Sequence, residues 1–126
     1  MPILLFLDDT PERIPLLRPE EIVHYVRNAK EFVDWLENNP MPDVISFDHD
    51  LANEHYENLG GYNAHSPIET GDDCAKWCIL TGRIPTQVIV HSWNVSGALR
   101  IATRFTDIGH KNVSIRKFNP KIPHLW

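Results

Sequence analysis

This sequence is short of basic residues, of cysteine and of long apolar runs, and each shortage closes off a class of function. Lysine and arginine number 12 against 17 aspartates and glutamates, for a net charge of -5. A general nucleic-acid binder needs a basic surface for phosphate contacts, so that class is set aside. A charge of -5 serves ordinary solubility. No stretch approaches the ~20 apolar residues of a membrane-spanning helix. Met1-Pro2 runs straight into Ile3–Leu7 and then into acids, which is not the pattern of a secretory leader, so a cytoplasmic location is expected.

The two cysteines, Cys74 and Cys78, stand four apart on a predicted helix. That spacing puts them on one face, with Cα atoms near the upper limit for a disulfide. Two cysteines make neither a disulfide framework nor a zinc site. Buried, reduced thiols are expected. Repeats, low-complexity stretches and linkers are also missing, so the 126 residues read as one domain, 1–126. With 42% apolar residues the chain can build a real core.

Four short apolar runs punctuate the chain: Ile3–Leu7, Val44–Phe47, Val88–Val90 and Val113–Ile115. The first three are nearly continuous, as suits strands covered on both faces of a parallel sheet. Ile22–Val26 is rich in β-branched residues but carries His24, which suits an edge strand. Helical spacing falls between these runs, over Ala29–Asn38, Asp72–Leu80 and Ser96–Phe105. With Thr70 as N-cap, Asp73 takes the third helical position, an acidic variant of the capping box. Strands alternating with helices predict an α/β fold with a mostly parallel sheet. Pro11, Pro15 and Pro19 preclude a long helix over 10–20. Residues 51–71 have no clear period, and a loop of that length is expected to be functional.

In an open parallel sheet, ligands bind beyond the carboxyl ends of the strands. Asp8 and Asp9 follow the first apolar run; Asp48, His49 and Asp50 follow Val44–Phe47. His91, Ser92 and Asn94 follow Val88–Val90, and Arg116-Lys117 follows Val113–Ile115. Together these strand ends predict one site. Asp8, Asp9 and Asp48 would crowd like charges unless a cation intervened. A hard divalent ion with oxygen ligands, Mg²⁺ or Mn²⁺, fits that demand. Zinc fits less well, with only His49 and His91 at hand. The two histidines suit general acid and base work. Ser92, Asn94 and Lys117 can serve phosphoryl oxygens. Thr70 and Gly71 open a helix whose backbone N–H groups face an anion, an attraction that Asp72 and Asp73 weaken. Plainer roles stay open for Asp8-Asp9 as a solvated turn, Asp50 as a cap and His91-Ser92 as a capped strand end.

The order of these groups resembles the receiver domain of two-component signalling. On that resemblance Asp8 and Asp9 match the acidic metal pocket, Asp48 the phosphoacceptor, Ser92 the hydroxyl and Lys117 the lysine. A closer resemblance is to a divergent branch, the cyclic-phosphate-processing receiver-like domains. It rests on Leu7-Asp8-Asp9 with Arg13-Ile14-Pro15, on Phe47-Asp48-His49-Asp50-Leu51, on Thr70-Gly71 and on His91-Ser92-x-Asn94. The resemblance implies a five-stranded doubly wound (flavodoxin-like) sheet of order 2-1-3-4-5, from which this chain is expected to depart in a first helix reduced by its prolines and a missing final helix. It implies a small phosphorylated, nucleotide-like ligand, in a bacterial cell or a phage-infected host. The expected activity is a metal-dependent phosphoesterase that opens a cyclic phosphate on a nucleotide or an RNA- or NAD-derived product. Asp48, His49, His91 and Ser92 would be catalytic, with Asp48 either nucleophile or metal ligand. Asp8, Asp9 and Asp48 would hold the metal. Arg13, Asp50, Thr70, Gly71, Asn94 and Lys117 would bind substrate. The alternatives are a non-catalytic cyclic-nucleotide sponge and a phospho-accepting signalling receiver. The missing final helix points to a homodimer.

Overall fold

The computed structural model describes residues 3–9, 21–48, 70–91 and 95–116. In chain order the elements are β1 (Ile3–Leu7), β2 (Ile22–Val26), α1 (Ala29–Asn38), β3 (Val44–Phe47), α2 (Gly71–Thr81), β4 (Gln87–Val90), α3 (Val95–Asp107) and β5 (Val113–Ile115). Every strand pairing is parallel, and the sheet order is β2-β1-β3-β4-β5. This is the receiver-like, flavodoxin-like α/β fold that the sequence predicts. The reduced first helix, the missing final helix and the long loop up to residue 69 lie outside the described residues. Among the described residues, no helix is long and apolar enough to cross a membrane.

The alternation of side chains along each strand divides the sheet into two unlike faces. Leu5, Leu7, Ile45, Phe47, Val88 and Val90 share one core with the helices. Each helix contributes a stripe to it: Phe32 and Leu36 of α1, Cys74 and Cys78 of α2, Ile101 and Phe105 of α3. The opposite positions, Leu4, Val44 and Ile89, form a second cluster with Val23 packed against it. Both faces being buried, these strands read as nearly continuous apolar runs. Among the described residues β2 pairs only with β1, and its His24 and Tyr25 are exposed, as an edge strand allows. His110 is half-buried, and its Nε2 lies 2.8 Å from the Pro85 carbonyl oxygen.

Helix ends fix how the elements meet. The Asn28 side chain accepts from the Glu31 N–H at 2.8 Å and starts α1. Thr70 caps α2 through the expected box: its hydroxyl accepts from the Asp73 N–H, and its own N–H donates to Asp73 Oδ2. The helix therefore begins one residue earlier than its apolar spacing suggests, at Gly71. It ends at Gly82, whose φ of 74° is the left-handed conformation a glycine adopts without penalty. Asp72, buried on the first turn of α2, is gripped by Arg104 of α3, with Nη2 donating at 3.0 Å and Nε at 2.5 Å.

Candidate functional site

The second face carries the apolar cluster at one end and polar groups at the other. Beyond Leu4 and Phe6 comes Asp8; along β3 come Ser46 and Asp48; after Ile89 comes His91. Asp8, Ser46 and His91 are fully buried, and Asp48 is 3% exposed. Backbone hydrogen bonds carry the ladder past the strand ends and lock these residues in register. The Asp48 N–H donates to the Leu7 carbonyl at 3.0 Å, and the His91 N–H to the Phe47 carbonyl at 2.9 Å. The Asp8 N–H donates to the Val26 carbonyl at 3.1 Å. Asp8 and Asp48 thus stand on either side of the β1/β3 junction, where the strand order reverses and ligands settle in sheets of this order.

His91 reaches from the end of β4 across β3 to β1. Its Nε2 lies 3.0 Å from Asp8 Oδ2, and its Nδ1 lies 2.6 Å from Ser46 Oγ. Both ring nitrogens are therefore engaged. The imidazole also stacks on Phe6, with centroids 4.5 Å apart and planes 6° from parallel. Asp8, Asp48 and His91 each offer one ligand atom, and these atoms lie within 4.8 Å of one another. Opposite ligands on a small divalent ion stand roughly 4.2 Å apart, and adjacent ones roughly 3 Å. Two buried carboxylates and an imidazole gathered this closely fit a divalent cation by donor type.

Arg27 adds a cation to this edge of the sheet. Its guanidinium donates to the Asp8 carbonyl at 3.2 Å and lies 5.1 Å from the Tyr25 ring centroid. Cys74 and Cys78 lie on the helix-covered face, free and buried. Burial pushes the Cys78 thiol up to about 12, against a smaller pull from Arg83. Burial likewise holds Cys74 well above the ordinary thiol range, helped by Cys78 and Asp73. They are structural thiols, as their spacing and number suggest.

The family model of the cyclic-phosphate processing receiver domain matches residues 3–107 of this chain. The chain belongs to that family. No curated protein and no solved structure matched it.

Within this receiver-family fold, the structure brings together three of the residues expected at the site: Asp8, Asp48 and His91. Asp9 is half-buried at the end of β1 and is not in that group. Thr70 and Gly71 open α2, and the Thr70 N–H and hydroxyl are taken up by the capping box. The charges that weaken this helix end as an anion site are spoken for, Asp72 by Arg104 and Asp73 by Thr70. Arg13, His49, Asp50, Ser92, Asn94 and Lys117 lie outside the described residues. Two neighbours of the site escaped the reading of strand ends. Ser46 stands two residues before Asp48, a spacing that itself signals a shared face. Arg27 follows Val26 at the end of β2, an edge strand whose end carries no acid or histidine to draw notice.

Proposed function

We propose that this receiver-family domain is a metal-dependent phosphoesterase that hydrolyses a cyclic phosphate on a nucleotide-like or an RNA- or NAD-derived product. The observation that carries this reading is the buried grouping of Asp8, Asp48 and His91 at the β1/β3 junction. The family's name points to the same substrate class.

A divalent cation held by Asp8 and Asp48 would polarise the phosphoryl oxygens and offset the charge of the acids. Water attacks phosphorus, a new P–O bond forms, and the ring P–O bond to one sugar oxygen breaks. The proton lost by the water ends on the departing alkoxide. His49, next to Asp48 in the chain, takes the role of moving that proton. His91, with both nitrogens engaged, takes the role of fixing the acids rather than titrating against substrate. Ser92, Asn94, Lys117 and Arg13 supply hydrogen bonds and charge to the phosphoryl oxygens. A phage or bacterial conflict system is the setting this reading favours.

The test is a panel of cyclic phosphates incubated with the purified chain and Mg²⁺, Mn²⁺ or EDTA, read by phosphorus NMR. The panel spans 2′,3′-cyclic nucleotides, 3′,5′-cyclic nucleotides, cyclic oligonucleotides and ADP-ribose cyclic phosphate. Metal-dependent ring opening that Asp48→Asn abolishes is the expected result. A ligand retained through gel filtration without product would replace the enzyme with a sponge.

One observation favours a second reading. Asp48 ends β3 beside the acid that ends β1, where a signalling receiver keeps its phosphoacceptor. In that case acetyl phosphate would label Asp48, and no cyclic phosphate would turn over.

A further inference from the structure

Ser46 has no place in the proposed chemistry, yet it is fully buried and touches the site through His91. A buried hydroxyl in the middle of an apolar strand needs a partner, and this one has found the imidazole. The 2.6 Å contact decides which way the ring faces. With Nδ1 turned to Ser46, Nε2 must face Asp8 and Asp48. The stacked Phe6 ring holds the plane of the imidazole, so that it cannot tilt away from these partners.

Two arrangements satisfy these contacts. In the first, Nε2 carries a proton and donates to Asp8, while Ser46 donates to Nδ1. In the second, Nδ1 carries the proton and donates to Ser46, leaving the Nε2 lone pair aimed at the acids. The second is the way metal-bound histidines are held, with the distal ring nitrogen donating to a fixed oxygen. With a cation set between the two acids it completes the ligand set, whereas the first arrangement turns an N–H toward the site and offers the ion no lone pair. The 3.0 Å separation of Nε2 and Asp8 Oδ2 equals that of adjacent ligands on one small ion.

We propose that His91 is a nitrogen ligand of the cation held by Asp8 and Asp48, that Ser46 positions it, and that the site therefore takes Mn²⁺ in preference to Mg²⁺. This rests on reading the pocket as a cation site. An imidazole in the ligand set draws first-row transition metals, whereas Mg²⁺ keeps to oxygen.

The experiment uses the full chain and metal alone, with no substrate. Mn²⁺ binding is followed by electron paramagnetic resonance, and Mg²⁺ is titrated in competition. Pulsed measurements on bound Mn²⁺ then look for nitrogen coupling in protein carrying ¹⁵N-labelled histidine. We expect a coupling that changes with the isotope, persists in His49→Gln and vanishes in His91→Gln. Ser46→Ala should weaken Mn²⁺ roughly tenfold while leaving Mg²⁺ nearly unchanged, and Ser46→Thr, which keeps the hydroxyl, should restore most of it. The isotope test on the unaltered chain does not depend on any variant folding. Bound Mn²⁺ without nitrogen coupling would overturn the proposal and leave His91 as a hydrogen-bond donor to Asp8. So would coupling that disappears in His49→Gln, or an unchanged metal preference in Ser46→Ala. Coupling from His91 in a chain that turns over no cyclic phosphate would uphold the metal site and sink the phosphoesterase reading instead.

Discussion

Phe6 and His91 stack face to face, 4.5 Å between ring centroids and 6° between planes, on the sheet face that carries the candidate site. Both rings are fully buried. The pair joins β1 to the end of β4 over the top of β3, so the apolar packing of that face and the aim of the imidazole are one arrangement. A polar ring that is buried with both nitrogens satisfied imposes no penalty of the kind an orphaned group would.

Phe6→Leu should therefore disturb the site out of proportion to its effect on folding. Leucine keeps an apolar side chain in the gap, so the stability loss should be about 1–2 kcal/mol. The wall against which His91 lies flat would be gone, and the ring could tilt away from Asp8. Chemical denaturation would give the first number and a Mn²⁺ titration the second. Metal affinity unchanged in a variant that has lost stability would show that Ser46 alone orients the ring.

The Arg104–Asp72 pair makes a second, purely structural prediction. Asp72 is 7% exposed, so removing its partner strands a carboxylate in a poorly solvated place. Arg104 is about a third exposed, and water screens its side of the contact. Arg104→Met, which keeps the apolar stem, should cost about 1–2 kcal/mol. In Arg104→Met, Asp72→Asn together the loss should be smaller than the sum of the single changes. Strict additivity in a double-mutant cycle would mean that the two side chains do not interact in solution.

Alkaline stability should follow the buried thiols. An unfolded thiol ionises near its ordinary value of 9.0, whereas folded Cys78 holds its proton to about 12 and Cys74 is also raised. The folded state thus keeps protons that the unfolded state gives up. The stability held in the neutral thiols is whole below about pH 9 and is lost as pH rises toward 12, by up to ~1.4 kcal/mol per thiol for each pH unit above 9. Urea unfolding of the reduced protein from about pH 8 to about pH 11 should show the decline, and Cys78→Ala should flatten part of it. Native thiols that titrate near their ordinary value would refute the assignment.

How much of this was legible in the sequence depends on how local each cause is. Ile3–Leu7 and Val44–Phe47 are strands because both their faces are buried, and a nearly continuous apolar run, interrupted only by Ser46, records that directly. Gln87 begins β4 against that rule, since its backbone pairs with Val44 whatever its side chain does. The α2 cap was readable from Thr70 and Asp73 because a capping box lies within four residues of chain. α3 extends past the apolar stripe at both ends, to Val95 and Asp107, where backbone bonds continue and core contacts stop. At the site, Asp8, Asp48 and His91 could be gathered by the rule of strand ends. The work of Ser46 could not, for it depends on a ring that arrives from β4, 45 residues away. For the same reason His91 looks, in sequence, like a free acid or base, and only its neighbours reveal that both nitrogens are engaged.

Asp48→Asn offers the last prediction, and it runs opposite to the usual effect of a core substitution. Asp8 and Asp48 are both buried and within reach of a single ion, so the two carboxylates repel each other more when no cation stands between them. Asparagine keeps the volume and removes one charge. The metal-free variant should be more stable than the natural chain by about 1 kcal/mol, the pattern of a functional site that gives up stability for binding. With saturating Mn²⁺ the order should reverse, because a ligand that binds only the folded state stabilises by RT ln(1 + [L]/Kd), or ~2.7 kcal/mol at a hundredfold excess over Kd. Thermal unfolding with EDTA and with Mn²⁺ would give all four values. If the natural chain gains nothing from Mn²⁺ and Asp48→Asn destabilises it under both conditions, then Asp48 serves as a buried hydrogen-bonding group and the pocket does not hold a cation.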